Sequence, residues 1–521
     1  MTAQRQQTRK GGGRRMRAAR NANSRPRDSM PNPVYARLRN PYPPIEQFSA
    51  DQIEAIHQTS LTILEEIGLR VLSDEARDIY RNGGCDVDDT TFHVRFDRDL
   101  LMATIAHAPG EVQMHARNPA RNISVGGNHV VFSTVGGAPN ISDIDNGRRP
   151  GTLNAFSDLA RLAQSFDVIH VLGPMVEPID IQPSMRHLGS TFAMMTLADK
   201  VPFVYSRGRE AVADAVEMIR IARGVSHETL CSEPSCYTVV NANSPLQLDV
   251  PMSKGVIDFA RLGQVMILTP FTLAGAMAPV TVAGALAQQN AEALAGIALA
   301  QMTNPGTPVV YGGFTSNVDM KSGAPAFGTP EYVKAAFASG QLARRYGLPW
   351  RSSNVNASNA PDVQSAYESQ MSLWGALMGG ANFMLHGAGW LEGGLTASFE
   401  KFIIDVEMLQ GFAQMFRPEP CDAEALGLAA VREVGPGGHY FGAAHTLERY
   451  ETAFYEPVLS DWRNFETWNE DGARDATMRA NLIYKDRLAR FDPPLIDAAI
   501  REELEAFVAR RTAEGGADLE A

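Results

Sequence analysis

Five loops of this 521-residue chain carry the side chains best suited to chemistry. Each loop follows a short apolar run of the sequence. They are rich in amides, hydroxyls, glycines and aromatic rings, and they contain no acid and no cysteine. Such groups bind and orient a small molecule, but they do not supply the pair of titrating groups that general acid–base catalysis uses. The loops span residues 241–245, 270–272, 312–317, 354–359 and 386–390.

The composition of these loops excludes several enzyme classes. A glycosidase would need two carboxylates there, and a metal hydrolase would need several His and Asp side chains. Only His386 stands at a predicted strand end, and a buried, hydrogen-bonded histidine is the alternative interpretation of it. Neither a GxSxG elbow nor a phosphate-binding GxxxxGK loop is present. The close pair Cys231 and Cys236 lacks a second pair, so we predict no metal site.

Aromatic rings beside uncharged loops fit a ligand whose positive charge carries no proton. A quaternary ammonium has no N–H to donate, so ring faces and apolar walls hold it. Packing in the core is the commoner role for any single ring at a strand end. The candidate rings are Tyr311, Phe314, Trp350, Tyr367, Phe383 and Trp390.

The elements that must position these loops alternate regularly. Eight short apolar runs are separated by amphipathic or alanine-rich helical stretches, which predicts an α/β fold with a (β/α)8 TIM-type barrel. A doubly wound open sheet fits less well, because no run leads into a GxGxxG turn. In a barrel the loops after the strands meet at one end, which gathers the five loops. The runs are 130–133, 168–172, 201–205, 237–240, 265–268, 308–311, 349–352 and 382–385.

The rest of the chain frames this barrel. We predict a disordered basic arm over 1–31, an N-terminal subdomain over 32–128, the barrel over 129–417 and a mostly helical extension over 418–521. A partner-binding arm and a targeting segment are the alternatives for the first region. A dimer contact, and thus a homo-oligomer, and a cover over the barrel mouth are the alternatives for the last.

Charge and cysteine content limit the binding partners and the cellular compartment that we expect for the protein. The net charge of −12 combines +8 in residues 1–30 with −20 in the remainder, and an acidic body repels nucleic acid. Four cysteines are too few for a disulfide framework and suggest a reducing, cytoplasmic compartment. The uncharged stretch 265–287 is long enough to span a membrane, but Pro270 and Pro279 break it, so we predict no membrane association.

Several joint motifs resemble the trimethylamine methyltransferase family over about Pro41 to Phe507. The resemblance implies a TIM-type barrel that passes a methyl group from an amine to the cobalt of a corrinoid protein. Founding members carry pyrrolysine in the loop after the seventh strand, whereas this chain has ordinary residues at 354–356. It therefore looks like the branch without pyrrolysine, some members of which demethylate glycine betaine. The motifs lie at 147–150, 311–331, 346–349, 361–368, 386–401 and 439–445.

The expected reaction suits such a site. A betaine is already quaternary and leaves as a neutral tertiary amine, so the step needs in-line placement and exclusion of water rather than an acid. No DxHxxG-type motif is present, so we expect no permanently bound cofactor and a cobalamin supplied by a partner corrinoid protein. The alternatives are a folate or thiol as methyl acceptor, and a non-catalytic protein that binds a betaine.

The resemblance also implies roles for single residues. Asn354 and Asn356 would line the pocket where relatives carry pyrrolysine, with Asn356 and His386 the residues proposed to act in catalysis. His386 would shape the floor or hydrogen-bond a carboxylate. The remaining substrate-binding candidates are Phe314, Tyr367 and Trp390 against the ammonium, Arg207 on a carboxylate, and Asn243 and Thr272 in their loops.

Four charged residues lie in family motifs at predicted helix starts. Each would touch ligand or partner, and the alternative is that acids at a helix start stabilise its dipole. An ion pair is likewise the alternative for Arg207. The four are Glu331, Glu368, Glu400 and Lys401.

Overall fold

The computed structural model describes residues 32–518, so the predicted basic arm lies outside the described residues. The N-terminal region packs helices beside short antiparallel strands. Its second helix begins at a capping box, in which Ser49 Oγ accepts from Gln52 N and the Gln52 side chain accepts from Ser49 N. The elements are α1 Pro33–Ala36, β1 Leu38–Arg39, α2 Ala50–Thr62 with a π-turn at Ile63–Ile67, β2 Leu69–Val71, α3 Asp74–Asn82, β3 Asp86–Asp88, β4 His93–Arg95, α4 Arg98–Ile105, β5 Glu111–Met114 and β6 Ile123–Gly126.

The central sheet is parallel apart from its short antiparallel edge strand β1. Its parallel strands are three or four residues long and largely buried, as strands covered on both faces require. Its order is β1-β7-β18-β17-β14-β12-β10. The parallel strands are β7 His129–Phe132, β10 Tyr237–Val240, β12 Val265–Leu268, β14 Val309–Gly312, β17 Trp350–Ser353 and β18 Phe383–Leu385.

Six of the eight predicted strands are therefore present in this sheet, and the other two are reduced to single bridges. Val171 bridges Val201, and Phe203 bridges Tyr237, both in parallel orientation. His170 N also donates to Phe132 O at 2.8 Å, which ties the first of these segments to β7. The expectation of eight complete strands was wrong for 168–172 and 201–205, which bond at single residues instead of along a ladder.

Helices lie between the strands, as the alternation in the sequence predicts. They alternate with the strands of the sheet, so the molecule is a mixed α/β protein. Eight further short strands and a short helix lie among them. The elements are β8 Asn140–Asp143, β9 Gly147–Pro150, α5 Leu153–Ser165, α6 Arg186–Leu197, α7 Arg209–Arg223, α8 His227–Ser232, β11 Gln247–Leu248, α9 Val250–Arg261, β13 Leu273–Ala274, α10 Val282–Thr303, β15 Ser316–Val318, β16 Pro325–Ala326, α11 Pro330–Arg345, α12 Val363–Met378, β19 Trp390–Leu391, β20 Thr396–Ser398 and α13 Phe399–Met415.

Two hydrophobic clusters lie on the two faces of the sheet. The larger cluster packs the helices against one face. The smaller one contains Val131, Val171, Ile267, Val310 and Phe383, which alternate with residues of the larger cluster along their strands. It also takes in residues of the β5–β6 hairpin. Successive side chains of a strand therefore point to opposite faces of the sheet. The face that carries the smaller cluster is called the inner face.

Five α-helices, separated by turns and irregular segments, lie between residues 418 and 518, with a break at Pro493-Pro494. This region packs on α13 through the stacked rings of Phe399 and Tyr484, whose centroids lie 5.0 Å apart. No helix in the described part of the chain is long and apolar enough to cross a membrane. The extension contains α14 Leu428–Val434, α15 Ala444–Arg449, α16 Phe465–Glu470, α17 Ala476–Ala489 and α18 Ala498–Ala513.

Candidate functional site

The loops that follow β17 and β18 meet at the carboxyl end of the sheet and bring Asn354 and Asn356 together with the 386–390 loop. Asn354 Nδ2 donates to Gly387 O and to Asp405 Oδ1, both at 3.0 Å. The side chain is fully buried, and its Oδ1 atom has no hydrogen-bond partner. Asn354 therefore fixes the neighbouring loop through its amide nitrogen and leaves an acceptor free.

Asn356, two residues further along the same loop, is held in a similar way. Its Nδ2 donates to Trp390 O at 2.7 Å, and its own carbonyl oxygen accepts from Trp390 Nε1 at 3.1 Å. The buried Oδ1 atom again has no partner. An unpaired buried amide oxygen costs free energy, and in both asparagines the described part of the chain leaves this acceptor without a donor.

His386 lies directly after β18 with a backbone φ of +56°, a conformation that non-glycine residues adopt at a cost. Its Nδ1 atom lies 3.1 Å from Ser353 Oγ, and its ring centroid lies 4.1 Å from that of Trp390. Burial and the nearby Arg351 guanidinium hold the pKa of the imidazole well below its usual range. His386 is therefore neutral at physiological pH and can donate or accept, but it does not act as a cation.

Two of the predicted rings, Phe314 and Trp390, lie together beside His386. The centroid of Phe314 is 6.4 Å from that of Trp390 and 6.1 Å from that of His386. Phe271 and Phe327 extend the group, with ring centroids 5.2 and 5.7 Å from that of Phe314. The site thus has an aromatic wall, although each ring packs in part on its neighbours.

A buried ion pair supports the asparagines from behind. Lys401 Nζ donates to Asp405 Oδ1 and, at 2.9 Å, to Ser369 Oγ. Asp405 Oδ2 accepts from Gly389 N at 2.8 Å. Burial raises the pKa of the Asp405 carboxyl and lowers that of the Lys401 ammonium, while each charge opposes the shift of the other. The predicted motif residue Lys401 therefore positions the loops and does not line the site.

The structure adds Arg351, which the sequence analysis did not select. It lies in the middle of β17 with 2% of its surface exposed, and its guanidinium carbon sits 5.1 Å from the Phe314 ring centroid. The signal that could have identified it is a single charged residue inside an otherwise buried strand. Among the described residues it forms no ion pair.

A cavity of about 550 Å³ opens beside the second and third strand segments and includes Pro174 and Tyr205 in its wall. A Cβ atom on Gly136 would lie 3.2 Å from Pro174 and 3.4 Å from His386, so this wall adjoins the His386 loop. Tyr205 donates its hydroxyl to Glu177. Arg207, the residue predicted to bind a substrate carboxylate, is exposed and lines this cavity.

Three other predicted binding residues are not brought to the site. Tyr367 lies on α12 with 55% of its surface exposed and outside the aromatic group. Asn243 is exposed and closes its own loop through hydrogen bonds with Asp249. Thr272 is buried and bonds to Thr315 Oγ1 at 2.5 Å. The sequence placed these residues in the correct loops or helix but could not give their side-chain direction.

The three acids of the family motifs have structural partners or surface positions. Glu331 is exposed in the first turn of α11. Glu368 accepts from Ala357 N at 2.9 Å and so holds the loop after β17. Glu400 is buried and accepts from Asn481 Nδ2 at 2.8 Å, which joins α13 to the C-terminal extension. Within residues 32–518, no group of three or more His, Cys, Asp or Glu side chains is placed to hold a metal ion.

Comparison with protein families matches residues 10–516 to the model of the trimethylamine methyltransferase family. The chain is similar to the glycine betaine methyltransferase of Desulfitobacterium hafniense, with 36% identity over 89% of this chain and 97% of the relative. It is also similar to the trimethylamine methyltransferase of the same species, with 29% identity over 88% of this chain and 93% of the relative. These matches span nearly the whole of both proteins.

A trimethylamine methyltransferase of Methanosarcina mazei is 28% identical over 88% of this chain and 94% of the relative. Among solved structures, the monomethylamine methyltransferase of Methanosarcina barkeri superposes with a TM-score of 0.45 and 11% identity, over 85% of this chain and 93% of that one.

Proposed function

The chain belongs to the trimethylamine methyltransferase family and is a methyltransferase, and we propose that it moves a methyl group from a quaternary methylamine such as glycine betaine to a corrinoid protein. The relative of 36% identity is a glycine betaine methyltransferase, which supports this class of donor. The loop after β17 carries Asn354 and Asn356 and no unusual residue, which favours a donor that is quaternary before it binds.

One observation carries the proposal: an aromatic wall and unpaired amide oxygens meet where the strands of the sheet end. Phe314 and Trp390 offer ring surface to a cation that has no N–H. His386 is held neutral, so no fixed cation of that side chain repels the ammonium. The acid closest in this network, Asp405, is paired with Lys401 behind the asparagines.

We also propose that the sheet closes into the (β/α)8 barrel. The bridge of Val171 to Val201, the bridge of Phe203 to Tyr237 and the bond of His170 N to Phe132 O support this closure. They place the segments 168–172 and 201–205 between β7 and β10, the two ends of the parallel ladder. A closed barrel puts all the strand-end loops around one mouth.

The residues of this mouth bind, orient and exclude water. The amide networks of Asn354 and Asn356 fix the loops after β17 and β18, so the wall is formed before the substrate arrives. The rings displace water from the methyl groups, which favours attack on carbon. A reduced corrinoid on a partner protein would supply the nucleophile, and the amine leaves neutral with the electron pair of the broken C–N bond. No proton has to be transferred.

The experiment is a methyl-transfer assay with the full chain, reduced cobalamin and glycine betaine. We expect methylcobalamin and dimethylglycine in equal amounts. Proline betaine, carnitine and choline are tested in parallel, because they present the same head group. Methylcobalamin from none of these donors would overturn the proposal.

Two further experiments distinguish the proposed reaction from its alternatives. Replacing cobalamin by a folate or a thiol tests another acceptor, and product with either in the absence of cobalt would favour that reading. Calorimetry that shows betaine binding without turnover under any acceptor would indicate a binding protein instead.

A further inference from the structure

Arg351 is a buried cation without a counter-ion. Only 2% of its surface is exposed, and no carboxylate in the described part of the chain lies within 4.0 Å of its guanidinium. Its Nε and Nη1 atoms are buried and have no hydrogen-bond partner within residues 32–518. Arginine in a protein interior is almost always paired with an anion. The described chain supplies none to Arg351, so a bound ligand is the remaining source of one.

The groups described around the guanidinium provide no counter-charge. After burial itself, the nearby phenols of Tyr332 and Tyr237 have the largest effect on the pKa of Arg351. The Tyr237 hydroxyl donates to Leu172 O, and the Tyr332 hydroxyl donates to Ser353 O, both at 2.9 Å. On the other side the guanidinium lies over the face of Phe314. Neither tyrosine is ionised, because burial raises the pKa of both phenols.

A second unpaired group lies nearby on the same inner face. Gly312 is the register partner of Arg351, and a Cβ atom on Gly312 would lie 1.9 Å from Thr269 Oγ1. That hydroxyl is buried and has no partner. A guanidinium fork and a hydroxyl that both lack acceptors form a donor set for a small anion.

Charge also favours an anion at this position. Burial lowers the pKa of Arg351 to about 10, so the side chain remains charged at neutral pH. The cost of burying one charge falls when a fork of two N–H groups meets a carboxylate. Arg207, the residue predicted from the sequence, is exposed and would leave the carboxylate in competition with water.

We propose that Arg351, with Thr269, binds the carboxylate of the substrate and makes the site selective for zwitterionic betaines over methylamines without an acid group. The inference rests on the proposed function, because it assigns one end of the donor of that reaction. In glycine betaine one carbon separates the carboxylate from the ammonium, so the anion and cation sites must be neighbours. Phe314 provides this proximity, since it contacts Arg351 on one side and adjoins Trp390 and His386.

The test compares two ligands that share a head group, glycine betaine and tetramethylammonium, by calorimetry on the full chain. Arg351→Met removes the charge at similar length, Arg351→Lys keeps the charge without the fork, and Arg432→Met makes the same charge change on an exposed helix. We expect R351M to weaken betaine binding by about 100-fold and R351K by about 10-fold. Binding of tetramethylammonium changes by less than about threefold in all variants, and R432M behaves as the wild type.

Thermal unfolding separates a ligand role from a structural one. Because R351M removes an unpaired buried charge, we expect its Tm without ligand to equal or exceed that of the wild type. R351M that binds glycine betaine like the wild type would overturn the inference. So would a wild type that binds tetramethylammonium as tightly as glycine betaine, proline betaine and carnitine.

The two proposals fail in different ways. Arg351-dependent betaine binding without methyl transfer to cobalamin would leave the anion site in place and remove the proposed reaction. Methyl transfer from glycine betaine that is equally fast in R351M would keep the reaction and remove the role of Arg351.

Discussion

The side-chain amide of Asn354 donates to Asp405 Oδ1 at 3.0 Å and so joins the loop after β17 to the interior of α13. Both side chains are fully buried. Lys401 supplies the compensating charge from the same helix. The position of the loop after β17 therefore depends on this buried ion pair.

Lys401→Met leaves the Asp405 carboxylate buried without a cation. We expect the free energy of unfolding to fall by about 3–5 kcal/mol, because breaking one side of a buried pair leaves an uncompensated charge. Urea denaturation measures this loss. Lys334→Met on the exposed face of α11 is the matched control and should stay within about 0.5 kcal/mol of the wild type. Equal stability of the two variants would contradict the prediction.

Gly312→Ala tests the close approach of neighbouring strands beside Arg351. The new Cβ would lie 1.9 Å from Thr269 Oγ1 and 2.7 Å from Leu268 O, so backbone must move. We expect a loss of about 1–3 kcal/mol in the free energy of unfolding. Gly411→Ala in α13, where a Cβ meets nothing within 4 Å, should instead gain up to about 1 kcal/mol. Denaturation curves with the same sign for both variants would refute this reasoning.

Trp390 carries both packing and a hydrogen bond at the site. Trp390→Ala removes the ring that stacks on His386, and we expect a loss of about 3–5 kcal/mol together with a fall in kcat/KM of more than about tenfold. Trp390→Phe keeps a ring and loses only the bond to Asn356 O, for which we expect about 1 kcal/mol. Trp462→Phe, at a side chain that is 73% exposed, is the control. Equal effects of W390F and W390A would show that the ring itself is unimportant.

His170 gives the fold a defined pH dependence. Its Nδ1 accepts from Phe132 N at 2.9 Å, so protonation there breaks a bond to β7. Burial lowers the pKa of His170 to about 4, below its value of 6.5 in the unfolded chain. The stabilisation by neutral His170 is therefore complete above about pH 6.5 and is lost as the pH falls towards 4.

Between pH 7 and 5 we expect the wild type to lose about 2 kcal/mol more stability than His170→Gln, which cannot titrate. Denaturation at both pH values measures the difference. His439→Gln replaces an exposed histidine and should follow the wild type. Parallel loss in the wild type and H170Q would mean that His170 is charged in the folded state.

The positions of the secondary structure elements followed from local patterns. Ser49 and Gln52 stand three residues apart in the sequence, as a capping box requires, and amphipathic or alanine-rich stretches such as that of α11 form the helices between the strands. The segments 168–172 and 201–205 were predicted as full strands because their residues are apolar. Apolar composition shows that a segment is buried, but the length of a hydrogen-bonded ladder depends on how neighbouring segments bend.

Side-chain direction was the main source of error at the site. Tyr367 was predicted to face the substrate, but the phase of α12 directs it to the surface. The sequence does not single out Arg351, because this residue stands inside a predicted strand. There, only the alternation of the two faces tells which side chains point towards the site. That alternation depends on register, and register is fixed by pairing with Gly312 and Phe383.

The sequence by itself determined the family, the α/β alternation and the loops that carry the site, because these depend on residue types and spacing along the chain. The tertiary structure decided which groups meet and which lack partners. Asn354 and Asp405 are 51 residues apart in the chain, and Phe314 and Arg351 are brought together by strand pairing. Whether a buried charge has a counter-ion is a property of its three-dimensional surroundings, so the unpaired guanidinium of Arg351 became visible only in the folded protein.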